Sequence, residues 1–566
     1  MQKEGCKFHM KILLVFSRSL GREDVNYNYL FPLGLAYISS VLKKAKYHVD
    51  ILNLNHKQGK IEEVIHKILS DQWPYDFVCT GGLSPFYRQI KEIIEAIRRH
   101  QSAPRIILGG GLISSEPELM FKVLNPDFIV YGEGEKAIID LFECIKNKGD
   151  LSHVLGIGYR DADGNIVCNK PQPAIMDLDS LPWPDFDGFE FENYLDNTKP
   201  TDQYFYDLYD SPRIYPIVCS RSCPYKCTFC FHPLGNKYRQ RSIDSVMKEL
   251  EFAVKRYRLN VIAIYDELFS YNKERVYEFC RRFKNLQKNT PWEMKWCCQM
   301  RVDDLDEEFL KTMKGAGCYM VSYGFESYSP AVLKSMKKHI QPEQINNAVN
   351  LTLKNNISIQ GNFIFGDKAE TFETTKETLN YWKQNNYAGI MLGFISPYPG
   401  TELYNHCLEK GIIKDKLDFI ENHIDDIMNM TDQLTDEEFK QLKLEVFKTS
   451  LKYSIYATPI SIKKTAVNNY GLKFECPHCH EVLEYNNCSL TYRWIFNLMI
   501  YCRSCRRRFF LVSRLYRYAI KSFLLLQPIM GKRLNMAAFN TKNTLIRVNR
   551  QIKRLNKKIK LLVYET

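Results

Sequence analysis

No stretch of this 566-residue sequence reaches 18 uncharged apolar residues, which excludes a transmembrane helix. No export leader is expected either: the early apolar run Ile12–Phe16 stops at Ser17 and Arg18 and is too short for one. Core-forming residues are not scarce. Apolar residues make up 45% and charged residues 25%, which excludes wholesale disorder, and the length suits three to four domains. The expected setting is the cytoplasm, where clustered cysteines bind metal more readily than they form disulfides. Acid is nearly absent from one region. Residues 501–566 hold 17 Lys or Arg against the single acid Glu565, a net of +16, so the chain's +13 leaves −3 on residues 1–500. A nearly neutral body needs no polyanionic substrate, and the basic character belongs to a tail.

The 18 cysteines fall unevenly. Cys219, Cys223, Cys227 and Cys230 form one cluster, and Cys476, Cys479, Cys502 and Cys505 another. Cys6, Cys79, Cys144, Cys168, Cys280, Cys318 and Cys407 read as small buried hydrophobes or inert thiols.

Between residues 10 and 150, short apolar runs alternate with amphipathic stretches. Lys11–Phe16, His48–Asn53, Phe77–Thr80, Ile106–Gly109 and Phe128–Tyr131 read as buried parallel strands; Pro32–Lys44, Ile61–Leu69, Tyr87–Arg99 and Pro117–Val123 read as helices between them. This implies a doubly wound α/β domain whose ligand lies beyond the carboxyl ends of the strands. Three loops there are rich in small residues: Gly81-Gly82-Leu83-Ser84, Gly109-Gly110-Gly111 and Gly132-Glu133-Gly134-Glu135. Singly each reads as a tight turn; three after consecutive strands lean toward a large ligand. Together with Pro32-Leu33-Gly34-Leu35-Ala36-Tyr37 and Tyr131, they resemble the cobalamin-binding domains fused to radical S-adenosylmethionine (SAM) enzymes. Domains that ligate cobalt from below carry Asp-x-His-x-x-Gly after the first strand. Here Ser17–Phe31 holds no histidine, and His56-Lys57-Gln58-Gly59 follows the second strand without the aspartate, so no protein histidine is expected on cobalt. The resemblance implies Ser84, Gly109, Gly110, Gly132 and Glu133 as cobalamin contacts.

The strand Ile214–Val218 runs into a loop containing Cys223-x3-Cys227-x2-Cys230. Random placement gives roughly 0.02 such matches per chain, so the spacing is informative. Three thiolates on one loop can hold three irons of a cubane cluster and leave the fourth open, unlike the four-cysteine ligation of clusters that only move electrons. A structural zinc knuckle completed by His232 is the bland alternative. Cys219 is out of register and reads as packing at the strand end. The motif resembles the signature of the radical SAM superfamily, and later segments match that family's strands. These are Val261–Tyr265, ending in Asp266-Glu267; Trp296–Gln299 with Arg301; Tyr319–Gly324, followed by Phe325-Glu326-Ser327; Ile357–Gly366; and Ile390–Pro397. With helices such as Asp244–Tyr257 and Asp304–Gly315, they imply a (β/α)6 partial barrel with its chemistry at the strands' C-terminal ends.

The resemblance implies a [4Fe-4S] cluster on Cys223, Cys227 and Cys230, and SAM held by Phe229, Glu267, Arg301, Glu326 and Ser327. It further implies reductive cleavage of SAM to a 5′-deoxyadenosyl radical and, through methylcobalamin, radical C-methylation of an unactivated carbon. A non-methylating cyclase or rearrangement enzyme uses the same parts. From another class, a cobalamin-sensing regulatory protein with an inactive barrel fits less well, because a dead barrel need not keep three thiolates. The implied partners are a small-molecule or biosynthetic-intermediate substrate and an electron donor such as flavodoxin or ferredoxin.

Downstream, Thr435 and Glu438 form a capping box for a helix to about Tyr456. Cys476-x2-Cys479, 22 residues, then Cys502-x2-Cys505 resemble a zinc ribbon; an auxiliary iron–sulfur cluster is the alternative, and Cys488, His478 and His480 are not expected as ligands. Arg506–Arg508 open the basic tail. There Leu545, Val548, Ile552, Leu555, Ile559 and Leu562 make a heptad-like stripe opposite a basic face. Such a helix fits its own domain or an anionic membrane periphery equally, with nucleic acid the weaker fit.

The expected fold class is therefore α/β and multidomain. A Rossmann-like cobalamin-binding domain spans 10–150, a strap 151–205 and a radical SAM partial barrel 206–430. A helical extension spans 431–470, a zinc-ribbon-like module 471–512 and a basic helical tail 513–566.

Overall fold

The computed structural model describes residues 10–18, 23–70, 74–199, 209–303, 305–467, 469–490 and 493–526. The heptad-like stripe and the tail beyond Leu526 lie outside the described residues, as does most of the Tyr-rich stretch at 202–210.

The first sheet has the order β2-β1-β3-β4-β5-β6-β7. β1 (Lys11–Phe16), β2 (His48–Asn53), β3 (Phe77–Gly81), β4 (Arg105–Gly109) and β5 (Phe128–Val130) run parallel. They are apolar because both faces are covered by α1 (Leu33–Lys44), α2 (Ile61–Leu69), α3 (Tyr87–Arg99), α4 (Gly111–Ser115), α5 (Pro117–Leu124) and α6 (Gly134–Lys146). The chain reverses outward from β1 on its two sides, to β2 and to β3, which opens a crevice at their carboxyl ends. Two antiparallel strands, β6 (Ile157–Arg160) and β7 (Ile166–Cys168), extend this sheet past residue 150. Their short alternation carries no parallel-strand signature, which is why the sequence pattern does not announce them.

Residues 178–191 lie across both halves of the molecule. Asp185 accepts from Ser39 (2.5 Å) and Lys43 (2.6 Å) of α1, while Asp179 accepts from the backbone of Ser242 in the second half. Phe186 stacks on Phe31 at 4.9 Å and meets Tyr215 at 4.5 Å. The prolines keep this segment extended, and its aromatics supply the buried area that holds it down. A short helix, α7 (Phe191–Asn197), follows.

The second sheet is a six-stranded parallel array in the order β15-β14-β13-β12-β11-β8. Its strands are β8 (Ile214–Ile217), β11 (Val261–Ile264), β12 (Lys295–Met300), β13 (Cys318–Glu326), β14 (Ser358–Phe365) and β15 (Ile390–Phe394). After β8 a two-stranded ribbon, β9 (Ser220–Arg221) with β10 (Arg239–Gln240), frames the cysteine loop. The helices α8 (Ile243–Tyr257), α9 (Lys273–Lys288), α10 (Glu307–Gly315), α11 (Pro330–Ser335), α12 (Pro342–Lys354) and α13 (Phe372–Gln384) alternate with the strands, as a partial barrel requires. One apolar cluster runs from Ile90, Leu112 and Phe121 of the first domain to Met336 of the barrel and to Leu403 and Phe419 just after it, so the two halves share a core.

Beyond the barrel lie α14 (Glu402–Glu409), α15 (Lys416–Asp418) and α16 (Asp436–Tyr453), the last started by the expected Thr435/Glu438 capping box. The C-terminal module has two small sheets: β16 (Tyr456–Ala457) with β21 (Arg508–Val512) and β20 (Asn497–Tyr501), and β17 (Ser461–Ala466) with β18 (Asn469–Glu475) and β19 (Val482–Ser489). It seats against the N-terminal ends of β14 and β15. Tyr501 donates to the Ile359 carbonyl (3.0 Å) and Arg508 to that of Gly389 (2.9 Å). α17 (Arg514–Leu526) closes the described chain. Among the described residues no helix is long and apolar enough to cross a membrane.

Candidate functional site

The cysteine loop leaves the C-terminal end of β8 and is anchored at once. Cys219 is fully buried, and its N–H donates to the Asp266 carboxylate at 2.6 Å; Ser220 donates to the other oxygen at 2.7 Å. Burial lifts the Asp266 carboxyl to about 6 and pushes the Cys219 thiol well up. Cys219 thus packs at the strand end, as its register suggests. Of the acidic pair after β11, Asp266 holds the loop, while Glu267 is exposed with its carboxylate 3.7 Å from His232.

Cys223, Cys227 and Cys230 follow at the barrel mouth. Thr228 N–H donates to the Met336 carbonyl, and Leu403 N–H to the Thr228 carbonyl, so the loop is pinned between α11 and α14. The hydrogen bond from Cys230, with the nearby Lys338 ammonium, brings the Cys227 thiol down to about 6 despite its burial. Three thiols on one loop, Cys227 buried and inclined to ionise and Cys223 and Cys230 half-buried, form a donor set that fits a cluster with an open iron.

Several predicted contacts have their polar groups engaged by protein. Glu326 stands at a β-bulge with φ +63° and pairs with Lys338 at 2.7 Å, both side chains buried. Lys338 also lies 5.9 Å over the ring of Phe229, which is half-buried at the edge of the shared apolar cluster. Arg301 bonds Asp303 (2.9 Å) and the carbonyls of Lys338 (2.8 Å) and His339 (3.3 Å), with its guanidinium 3.7 Å over Tyr225. Ser327 meets Thr378 at 3.1 Å and accepts from Ser329 N–H, shaping the start of α11. Sequence reasoning passed over Lys338, because a lysine in a Lys-Lys-His run looks like a solvated charge until Glu326 is seen across from it.

In the first domain the small-residue loops converge at the carboxyl ends of β3, β4 and β5. Gly110 has φ +90°, and a Cβ there would stand 3.0 Å from the backbone of Gly82, so these two loops interlock only without a side chain. Gly132 has φ +74°, donates to Ser114 at 3.0 Å, and faces space open to at least 4 Å. Ser84 is buried at the head of a short 3₁₀ turn, and Gly109 ends β4. This glycine-lined crevice suits a flat, bulky ligand. Glu133 instead turns away: its carboxylate takes Arg239 (2.7 Å), Arg221 (3.0 Å) and the Ile175 N–H. Both ring nitrogens of buried His56 are occupied, by Glu190 (3.0 Å) and Tyr29 (2.8 Å).

The second cysteine cluster lies far from this mouth. Cys476, Cys479, Cys502 and Cys505 have their sulfurs within 4.8 Å of one another, with Cys476–Cys505 at 3.8 Å and Cys479–Cys502 at 3.7 Å. A tetrahedral ion with metal–sulfur bonds of about 2.3 Å requires sulfur–sulfur edges near 3.8 Å. A cubane, binding each thiolate to a different iron, would spread them wider. Cys488, His478 and His480 bond elsewhere, to the Tyr485 carbonyl, the Arg508 carbonyl and Glu475.

Comparison with known proteins agrees with this geometry. Residues 25–142 match the family model "B12 binding domain", and residues 217–381 match "Radical SAM superfamily". An uncharacterized methyltransferase of Pyrococcus horikoshii is 26% identical over 447 residues, 78% of this chain and 91% of that protein. Cytidylyl-2-hydroxyethylphosphonate methyltransferase of Streptomyces wedmorensis is 25% identical over 72% of this chain and 84% of its own. The anaerobic magnesium-protoporphyrin IX monomethyl ester cyclase of Rubrivivax gelatinosus is 25% identical over 67% and 66%. Among solved structures, the radical SAM methyltransferase TsrM of Kitasatospora setae superposes with a TM-score of 0.57 at 19% identity, over 71% of this chain and 76% of that one. The cobalamin-dependent SAM radical enzyme OxsB gives 0.55 at 20% identity, over 79% and 62%. With both domains matched in sequence and their joint fold shared, the chain belongs to the cobalamin-dependent radical SAM enzymes.

Proposed function

We propose that this enzyme is a radical C-methyltransferase acting on a small molecule, supplied with electrons by a one-electron reductant. The observation that carries the reading is the meeting of the two sites: the cysteine loop and the glycine-lined crevice face one interface, joined by Arg221 and Glu133. When bound, the cluster with SAM supplies a carbon-centred radical and cobalamin a transferable methyl group. Cys223, Cys227 and Cys230 would hold the cluster. Glu267, the exposed acid of its pair, would meet the SAM amino group, and Phe229 offers an apolar face to adenine. Glu326, Arg301 and Ser327 would act through the loops they fix, and Glu133 through its arginines. Ser84, Gly109, Gly110 and Gly132 would line the corrin. Methylation is favoured over cyclisation because this chain spans 91% and 84% of two relatives named methyltransferases, and 66% of the cyclase.

The test is an anaerobic incubation of the reconstituted chain with reductant, methyl-labelled SAM and a small-molecule extract of its own cells. The expected result is 5′-deoxyadenosine together with label in a carbon-bound methyl group of one extract component. A component that turns over with deoxyadenosine formation but gains no label would refute methylation.

For the second cluster we propose a zinc ribbon. Its sulfur spacing supports one tetrahedral ion. Its seat on the N-terminal ends of the barrel strands, the face opposite the chemistry, supports a structural role.

A further inference from the structure

Within the cysteine loop, the residues flanking the three thiols are gripped by the cobalamin-binding domain. Arg221, two positions before Cys223, reaches across the interface to Glu133 (3.0 Å) and Glu135 (2.6 Å), with its guanidinium 5.1 Å from the Tyr37 ring. All three partners belong to the first domain. Arg239, paired with Arg221 in the small ribbon, adds a second bond to Glu133 and one to the Ile175 carbonyl of the strap. Two arginines and two glutamates balance to zero charge, and all four side chains are at most 10% exposed. On the other flank, Phe231 directly follows Cys230. Its ring lies 2.5 Å from where a Cβ on Gly400 would stand, and 3.3 Å from one on Gly111 of the first domain.

Glu133 and Glu135 belong to the loop that begins at Gly132 and opens α6, and Gly111 opens α4. The protein segments that would border the corrin are thus the segments that hold both ends of the cysteine loop. Buried ion pairs and a ring in a fitted slot have few alternative arrangements, so ordering one loop orders the other.

We propose that Arg221 and Phe231 are positioning residues that couple the two cofactor sites, so that forming the cluster and binding cobalamin each strengthen the other. The inference rests on the functional reading above and assigns it a device: cluster and corrin are set at a fixed relation by direct protein contacts. Coupling of this kind is reciprocal, and its usual size is about 5–150-fold in affinity.

The test uses the full-length chain under anaerobic conditions, without cluster and after reconstitution with iron and sulfide, titrated with hydroxocobalamin and read by equilibrium dialysis. The expected wild-type result is a cobalamin Kd at least about fivefold lower with the cluster present. Arg221→Met combined with Glu135→Gln removes one charge pair and leaves Glu133–Arg239 intact; it is expected to bring the ratio close to one while iron content and melting temperature hold. Arg221→Lys, which keeps the charge but not the forked geometry, serves if the double variant does not fold, and is expected to reduce the ratio. Lys43→Ala, which breaks the ion pair to Asp185 outside both loops, is expected to keep the wild-type ratio. A wild-type ratio of one, or a wild-type ratio in folded Arg221 variants, overturns the coupling alone. A wild-type chain that binds no hydroxocobalamin overturns the functional reading and the coupling with it.

Discussion

Lys338 shows how much one side chain can hold at the barrel mouth. Its ammonium is buried, neutralises Glu326 and lies beside Cys227 and Phe229, while its carbonyl is fixed by Arg301. Removing one partner of a buried pair costs about 3–5 kcal/mol, because the other charge is left without compensation. Lys338→Met should therefore lower stability to denaturant by about that amount, and adding Glu326→Gln should recover part of it. Full stability in the single variant would show that water reaches Glu326. A second buried carboxyl gives a pH signature. Glu370 accepts from Thr374, Thr375 and the Gly366 N–H, yet burial raises it from 4.5 to about 7. The folded chain holds this proton more tightly than the unfolded chain, so the site's contribution to stability falls as pH rises from about 4.5 to about 7. Glu370→Gln removes that dependence. The melting temperature of wild type relative to the variant should decline across this window, and a flat difference would contradict the assignment.

At the scale of elements, the parallel strands were legible and the loops between them only partly so. Continuous apolar runs such as Val261–Ile264 and Lys11–Phe16 can be buried on both faces only in a helix-covered parallel sheet, so their pattern marks them in isolation. β6 and β7 were not announced, because short antiparallel strands have no comparable signature. The loop roles were the least legible. Asp266 and Glu267 are neighbours of equal charge, yet one faces inward to Cys219 and the other outward to His232, a difference set by the exit of β11 rather than by residue type. Asp266→Asn keeps the shape but weakens the acceptor of the Cys219 and Ser220 bonds. It should lower the iron retained by the cysteine loop after reconstitution, with the barrel's helical circular dichroism unchanged. Unchanged iron retention would mean that the loop does not depend on this anchor.

Across the whole molecule, the two metal-binding modules sit at opposite ends of the barrel. The cysteine loop leaves the C-terminal end of β8, whereas the ribbon seats on the N-terminal ends of β14 and β15 through Tyr501, Arg508 and the Arg503–Asp210 pair at 2.6 Å. Stripping metal from the ribbon should lower the melting temperature while leaving the barrel cluster able to form, since folding of such a module is metal binding. The check is Cys476→Ala with metal analysis: loss of one zinc with iron retained is expected, and loss of the cluster iron would contradict separate roles. The +13 net charge concentrates beyond residue 500, mostly outside the described residues.

The sequence by itself determined the order of the modules, the three cysteines that can hold a cluster and the four that can hold one tetrahedral ion. Local spacing and apolar periodicity are properties of contiguous chain, and no folding is needed to read them. Only the tertiary structure decided that Glu133 meets Arg221 and Arg239, that Glu326 is neutralised by Lys338, and that Phe231 fills a slot between Gly111 and Gly400. These pairs join residues remote in sequence. Their partners are chosen by packing and by the need to neutralise charge away from water, which no single segment encodes.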